Sequence, residues 1–254
     1  MVRADAVGAL LDIATEFAPR TKFPQLNNWK RCSEDALWNH FVYQVATVGG
    51  SSAVDRLKAS RALQQALRFR ALRESNSTAR RSTIYKSLRA AAVRYSGKSI
   101  EKCRKTRAID RNFEYLNSLG GPGAYLNLVS VLSTEPERID HVAEHFRYIK
   151  LKGARDLLAE LGLATDIIAF DTRLLKILKA LNVDVPDDVR TNRRLYKKFQ
   201  DELITKVCGP ACIAGVMLDR ILYQNYRAII AKIGGVRTSE SATGAPRCRP
   251  SCPA

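Results

Sequence analysis

A lysine and an aspartate nineteen positions apart, Lys152 and Asp171, are the residues of this chain best placed to do chemistry together. Lys152 opens one apolar helical pattern, over 152–163, and Asp171 opens the next, over 171–181. Between them runs a short turn and an apolar strip, Leu163-Ala164-Thr165-Asp166-Ile167-Ile168-Ala169-Phe170, which draws the second start back towards the first. A helix N-terminus lowers the pKa of an amine and favours a carboxylate. The expected pair is therefore a neutral amine beside an ionised carboxylate. Such an amine can bond to an electrophilic carbon, while the carboxylate steadies positive charge developing there.

Those starts need helices to carry them, and the rest of the sequence supplies little else. Apolar residues recur at helical spacing over 5–17, 33–48, 52–72, 82–95, 109–119, 122–133, 136–147, 152–163, 171–181, 190–208 and 210–233, with no convincing alternating stretch. Gly49-Gly50-Ser51-Ser52, Gly120-Gly121-Pro122-Gly123 and Val185-Pro186-Asp187-Asp188 punctuate the pattern. Ser33 ahead of Glu34-Asp35, and Thr134-Glu135-Pro136-Glu137, carry the chemistry of helix starts. The predicted fold class is all-α, with one helical domain over 1–233 and a flexible basic tail over 234–254, rich in Gly, Thr, Ser, Pro, Arg and Cys.

The chain has 254 residues, 46% of them hydrophobic, enough for a buried core that can divide into two lobes. No apolar run is long enough to cross a bilayer, and the N-terminus lacks a secretory pattern. The sequence thus predicts a cytoplasmic protein, nucleoid-associated if prokaryotic, with no membrane partner. The net charge of +17 implies a polyanionic partner, nucleic acid being the commonest. From Arg56 to Arg111, seventeen lysines and arginines are opposed only by Glu74, Glu101 and Asp110. So unbalanced a run predicts phosphate contact rather than a merely solvated face. With nucleic acid as partner, the electrophilic carbon for Lys152 is a nucleic-acid sugar.

The six cysteines, Cys32, Cys103, Cys208, Cys212, Cys248 and Cys252, match no zinc or iron–sulfur spacing. His40, His141 and His145 have no suitably placed acidic partner. Neither a metal nor a cofactor is expected.

The patterns at 136–147 and 152–163 are joined by Tyr148-Ile149-Lys150-Leu151, a link short enough for a hairpin whose second helix offers free N–H groups to phosphate. Lys152-Gly153-Ala154 with Leu158 and Gly162, followed by Asp171-Thr172-Arg173-Leu174-Leu175, resembles the helix–hairpin–helix DNA glycosylase superfamily. The compact archaeal and bacterial 8-oxoguanine DNA glycosylase/AP lyases are the nearest likeness. Phe41–Ala53 is similar to the superfamily's early helix and the polar loop facing a flipped-out base. Arg193-Arg194-Leu195-Tyr196 resembles the penultimate helix, and Leu218-Asp219-Arg220-Ile221-Leu222-Tyr223 the last. The likeness spans about residues 33–233. It departs at the hairpin, where the superfamily usually has Gly-x-Gly before the lysine and this chain has Tyr148-Ile149-Lys150.

The resemblance implies a two-lobed helical fold, with a hairpin lobe over about 50–175 and a second lobe from both chain ends. It implies Lys152 as nucleophile and Asp171 as catalytic carboxylate, with Lys150 a rival nucleophile. Arg147, Tyr148, Lys150 and Gly153 would hold DNA. Tyr223 would stack on the extruded base and Gln44 would meet its edge, with Trp38 another aromatic to consider. Lys232 falls near the point where the compact family ends in a base-reading lysine. The implied activity is excision of an oxidised purine, 8-oxoguanine, from double-stranded DNA by a monomeric glycosylase/AP lyase in base excision repair. Action on a different lesion, and a non-catalytic DNA-binding module in which Lys152 only contacts phosphate, stay open at this point.

Overall fold

In the computed structural model, which describes residues 2–242, every regular element among the described residues is helical. In chain order these are α1 (Ala4–Phe17), α2 (Glu34–Thr47), α3 (Ser52–Ala59), α4 (Arg61–Ala66), α5 (Phe69–Arg73), α6 (Ser77–Ala90), α7 (Arg104–Ser118) and α8 (Pro122–Ser130). There follow α9 (Glu135–His145), α10 (Leu151–Leu161), α11 (Thr172–Ala180), α12 (Arg193–Leu203), α13 (Gly209–Ala211), α14 (Gly215–Gln224) and α15 (Tyr226–Ala242). Short 3-10 turns and one π-helical stretch, Ile204–Cys208, join some of them.

The apolar faces close into two cores. The first, containing Trp38, Phe41, Phe113, Tyr125 and Phe146, begins at Trp29 and takes in Ile167. The second joins Leu10 and Phe17 of α1 to Phe170, Tyr196, Phe199 and Leu218. The hairpin lobe therefore starts earlier than residue 50. The stripe Leu37, Trp38, Phe41, Val42 and Val45 of α2 is buried in the same core as α9 and α10, which is where its apolar area is removed from water. Trp38 is wholly packed there, its Nε1 donating to Leu67 O at 2.9 Å.

Several helix ends differ from the periodic reading. The stretch 52–72 is three helices, because Ser60 takes extended backbone and its hydroxyl accepts from Leu63 N at 3.4 Å, while Arg68 turns the chain again before Phe69. Apolar spacing survives both breaks, so periodicity alone does not reveal them. The pattern at 210–233 breaks at Cys212, in left-handed conformation, and at Asn225. Its last helix runs on through Ala242, past the predicted tail boundary at 234. Residues 243–254 of that tail, with Cys248 and Cys252, lie outside the described residues. No helix among the described residues is long and apolar enough to cross a membrane.

The apolar strip between α10 and α11 crosses from one core to the other, Ile167 in the first and Ile168 and Phe170 in the second. Buried backbone polar groups must find partners, and α12 provides them. Tyr196 Oη accepts from Phe170 N at 2.9 Å and donates to Ile168 O at 2.8 Å; Gln200 Oε1 accepts from Ile168 N at 3.2 Å. Arg155 of α10 donates to the same Gln200 Oε1 at 2.9 Å and lies over the Tyr196 ring at 3.8 Å. One pair of α12 side chains thus ties the helix bearing Lys152 to the strip leading to Asp171. Gly162 ends α10 in left-handed conformation at φ 68°, and Leu163 N donates back to Leu158 O at 2.8 Å. A Cβ on Gly162 would lie 2.1 Å from Gln25 O, so only glycine fits.

Candidate active site

The hairpin is built from both sides. Thr134 and Glu137 close a reciprocal cap at the start of α9. After α9, Phe146 and Ile149 bury their side chains in the first core. The Asn112 amide of α7 clamps the turn twice, donating to Arg147 O at 3.1 Å and accepting from Arg147 N at 2.8 Å. Between the buried anchors Tyr148 takes φ 65°. The left-handed backbone that glycine adopts freely is therefore present here on a tyrosine, at a cost of about 1–2 kcal/mol that the anchors must offset. Lys150 then caps α10 in extended conformation without a side-chain hydrogen bond, leaving the first N–H groups of that helix for a ligand.

That helix start forms part of the wall of a cleft of about 820 Å³. Lys152, Asp171, Tyr223, Gln44, Lys150, Tyr148 and Gly153 all line it, so seven of the residues singled out in the sequence meet in one place. Asp171 is the N-cap of α11, its Oδ1 accepting from Leu174 N at 2.8 Å. Tyr223 on α14 is half-buried, with the Arg173 guanidinium 5.0 Å from its ring centre. Gln44 of α2 stands over Gly153, where an added Cβ would lie 3.5 Å from Gln44 Oε1. The opposite lip is Val48-Gly49-Gly50-Ser51. Buried Lys105 fastens it from beneath, Nζ donating to Ala46 O at 3.2 Å and Val48 O at 2.5 Å.

One placement differs from the sequence reading. Lys232 is not part of the cleft wall; it pairs with Glu16 of α1 on the second lobe. Arg147 lies one groove away, in a cavity of about 340 Å³ lined with Arg104, Arg107, Ala108, Arg111, Tyr148 and Lys150. The basic run is also divided in its uses. Arg80 and Arg81 grip Asp110 at 2.7 and 2.5 Å, and Arg56 donates to Ala91 O at 2.7 Å, so these hold the fold. Arg104, Arg107 and Arg111 occupy one exposed face of α7.

The electrostatics of Lys152 correct the expectation of a lowered amine. Burial does pull its pKa down, but the charge and hydrogen bond of Asp156, with the charges of Asp171 and Asp219, outweigh it and hold the ammonium above the ordinary lysine range. Asp156 sits one turn along α10 in direct contact with Lys152 Nζ. Asp219 of α14 is fully buried; desolvation and the Asp156 charge push its carboxyl up to about 8, against Arg220 and Lys152. The sequence reading missed both acids. The i,i+4 spacing of Lys152 and Asp156 was a usable signal, as was an acid inside the apolar run of α14.

The architecture, two helical lobes flanking a cleft with a hairpin at its mouth, is similar in fold to solved structures of 8-oxoguanine DNA glycosylases. The 8-oxoguanine glycosylase/lyase of Methanocaldococcus jannaschii, in complex with a 15mer DNA containing 8-oxoguanine, matches with a TM-score of 0.59 at 14% identity, over 84% of this chain and 89% of that one. A structure of the 8-oxoguanine DNA glycosylase of the same organism gives 0.60 at 14%, over 84% and 85%. The 8-oxoguanine DNA glycosylase of Thermotoga maritima gives 0.56 at 16%, over 85% and 92%. No protein-family model and no curated protein matches the sequence.

Proposed function

We propose that this chain is a DNA glycosylase with AP-lyase action that removes an oxidised purine, 8-oxoguanine, from double-stranded DNA. The observation that carries the reading is the meeting of Lys152 and Asp171, each at a helix start, in one cleft of this fold. In this reading the hairpin N–H groups with Lys150, Tyr148, Gly153 and Arg147 hold the sugar-phosphate backbone. The extruded base enters the cleft, stacks on Tyr223 and offers its edge to Gln44. As the glycosidic bond breaks, positive charge grows on the deoxyribose and Asp171 stabilises it. Lys152 bonds to C1′, and the resulting iminium acidifies C2′, so that β-elimination cuts the strand. One chain supplies the whole set of groups, which fits action as a monomer.

The test is release of free base and strand nicking on matched duplexes carrying 8-oxoguanine, another oxidised purine, a uracil or no lesion. Preferential release from the 8-oxoguanine duplex is expected. Release from a different lesion alone would move the substrate, and tight binding with neither release nor nicking would leave a DNA-binding module.

A further inference from the structure

Resting on the lyase reading above, we propose that Asp156 accepts the proton from Lys152 as the amine attacks and holds it for the departing base. The problem it solves is one of proton balance. An ammonium that becomes an iminium sheds two protons while Nζ gains its bonds to C1′. In the overall step the C1′–N bond breaks with its electron pair leaving on the base, and the base takes one proton. The other ends on O4′ as the C1′–O4′ bond opens. A lysine held as ammonium therefore needs an acceptor in contact with Nζ.

Asp156 is that contact. Its side chain is 17% exposed against 33% for Lys152, so the acceptor is the more sheltered partner and the proton is kept from bulk water. The remaining groups around the amine are otherwise engaged. From the start of α11, Asp171 acts on Lys152 through its charge while its Oδ1 caps the helix. From α14, Asp219 is fully buried with its carboxyl pushed up to about 8, whereas Asp156 is the acid in direct contact with the amine. Lys150, Arg173 and Arg190, the other cations of the cleft wall, cannot accept a proton from an ammonium.

The test is the pH profile of borohydride trapping on an abasic-site duplex in single turnover, for the full chain and for Asp156→Asn. The unaltered chain is expected to trap at a nearly constant rate from about pH 7 to 9, since the pair carries its own acceptor. Asp156→Asn should trap roughly 100-fold more slowly at neutral pH and recover by up to about tenfold per pH unit as hydroxide takes over. A loss that is equal at every pH, no loss, or faster trapping would overturn the proposal. If Asp156→Asn does not fold, as judged by melting and duplex binding, Asp156→Glu decides. A flat profile there supports the acceptor role and a sloping one contradicts it. An unaltered chain that forms no adduct at any pH would remove the lyase reading itself, an outcome distinct from the others.

Discussion

The floor of the cleft and the groove beside it are opposites made from neighbouring residues. Around Lys152 one amine meets three acids, Asp156, Asp171 and Asp219. Across the hairpin, the groove is lined by Arg104, Arg107, Arg111, Arg147 and Lys150 with no acid among its lining residues. Tyr148 and Lys150 belong to both walls. A net charge of +17 thus says nothing about the floor of the cleft. In the proposed function the basic rim holds a polyanion by long-range attraction, whereas the acidic floor sets the protonation of one amine. Binding and chemistry should therefore be separable by mutation.

The sharpest separation is expected from Lys152→Gln. Base release and nicking should fall to background while affinity for undamaged duplex stays near that of the unaltered chain, measured side by side by product gels and fluorescence anisotropy. Loss of binding along with activity would erase the distinction between floor and rim. Asp171→Asn comes next. It removes the charge and keeps an oxygen for Leu174 N, so base excision should drop by roughly 100-fold or more with little change in melting temperature. Nicking of a preformed abasic site should suffer less, since no glycosidic bond remains to break.

On the rim, replacing Arg104, Arg107 and Arg111 together by Gln should weaken damaged and undamaged duplexes alike. The slope of log affinity against log salt should flatten by about 0.9 for each phosphate that the groove ceases to neutralise. An unchanged slope would show that the groove does not face DNA.

A smaller effect tests the floor through stability. The Asp219 carboxyl, raised to about 8 by burial, stays protonated in the folded chain where the unfolded chain has already ionised. Between its ordinary value of 3.8 and about 8, stability contributed by this group therefore falls as pH rises. Asp219→Asn removes that titration, so its melting temperature should gain on the unaltered chain from low pH towards pH 8. A constant difference across that range would mean that Asp219 is ionised in the fold.

The helical class and the placement of Lys152 and Asp171 at successive helix starts were legible because both depend on local signals, apolar spacing and residues that open helices. The breaks at Ser60 and Arg68 were hidden, since they preserve the apolar period that the sequence displays. The left-handed Tyr148 was hidden for another reason. Its conformation is imposed by buried neighbours and the Asn112 clamp, and nothing in a tyrosine announces it. Lys232 falls near the point where a resembling family ends, but α15 directs it to Glu16 and away from the cleft wall. Asp219 shows the limit most plainly. Its raised carboxyl follows from burial first and then from the Asp156 charge on another helix, a juxtaposition that only the packing of two lobes creates.

The chemistry proposed for the cleft depends on whether the amine of Lys152 becomes bonded to DNA. Incubating the full chain with an 8-oxoguanine duplex under borohydride, then mapping the adduct by peptide mass spectrometry, tests this directly. The expected result is one stable adduct on the peptide carrying Lys152, absent from Lys152→Gln. An adduct on Lys150, or no adduct under conditions where the duplex is bound, would contradict it.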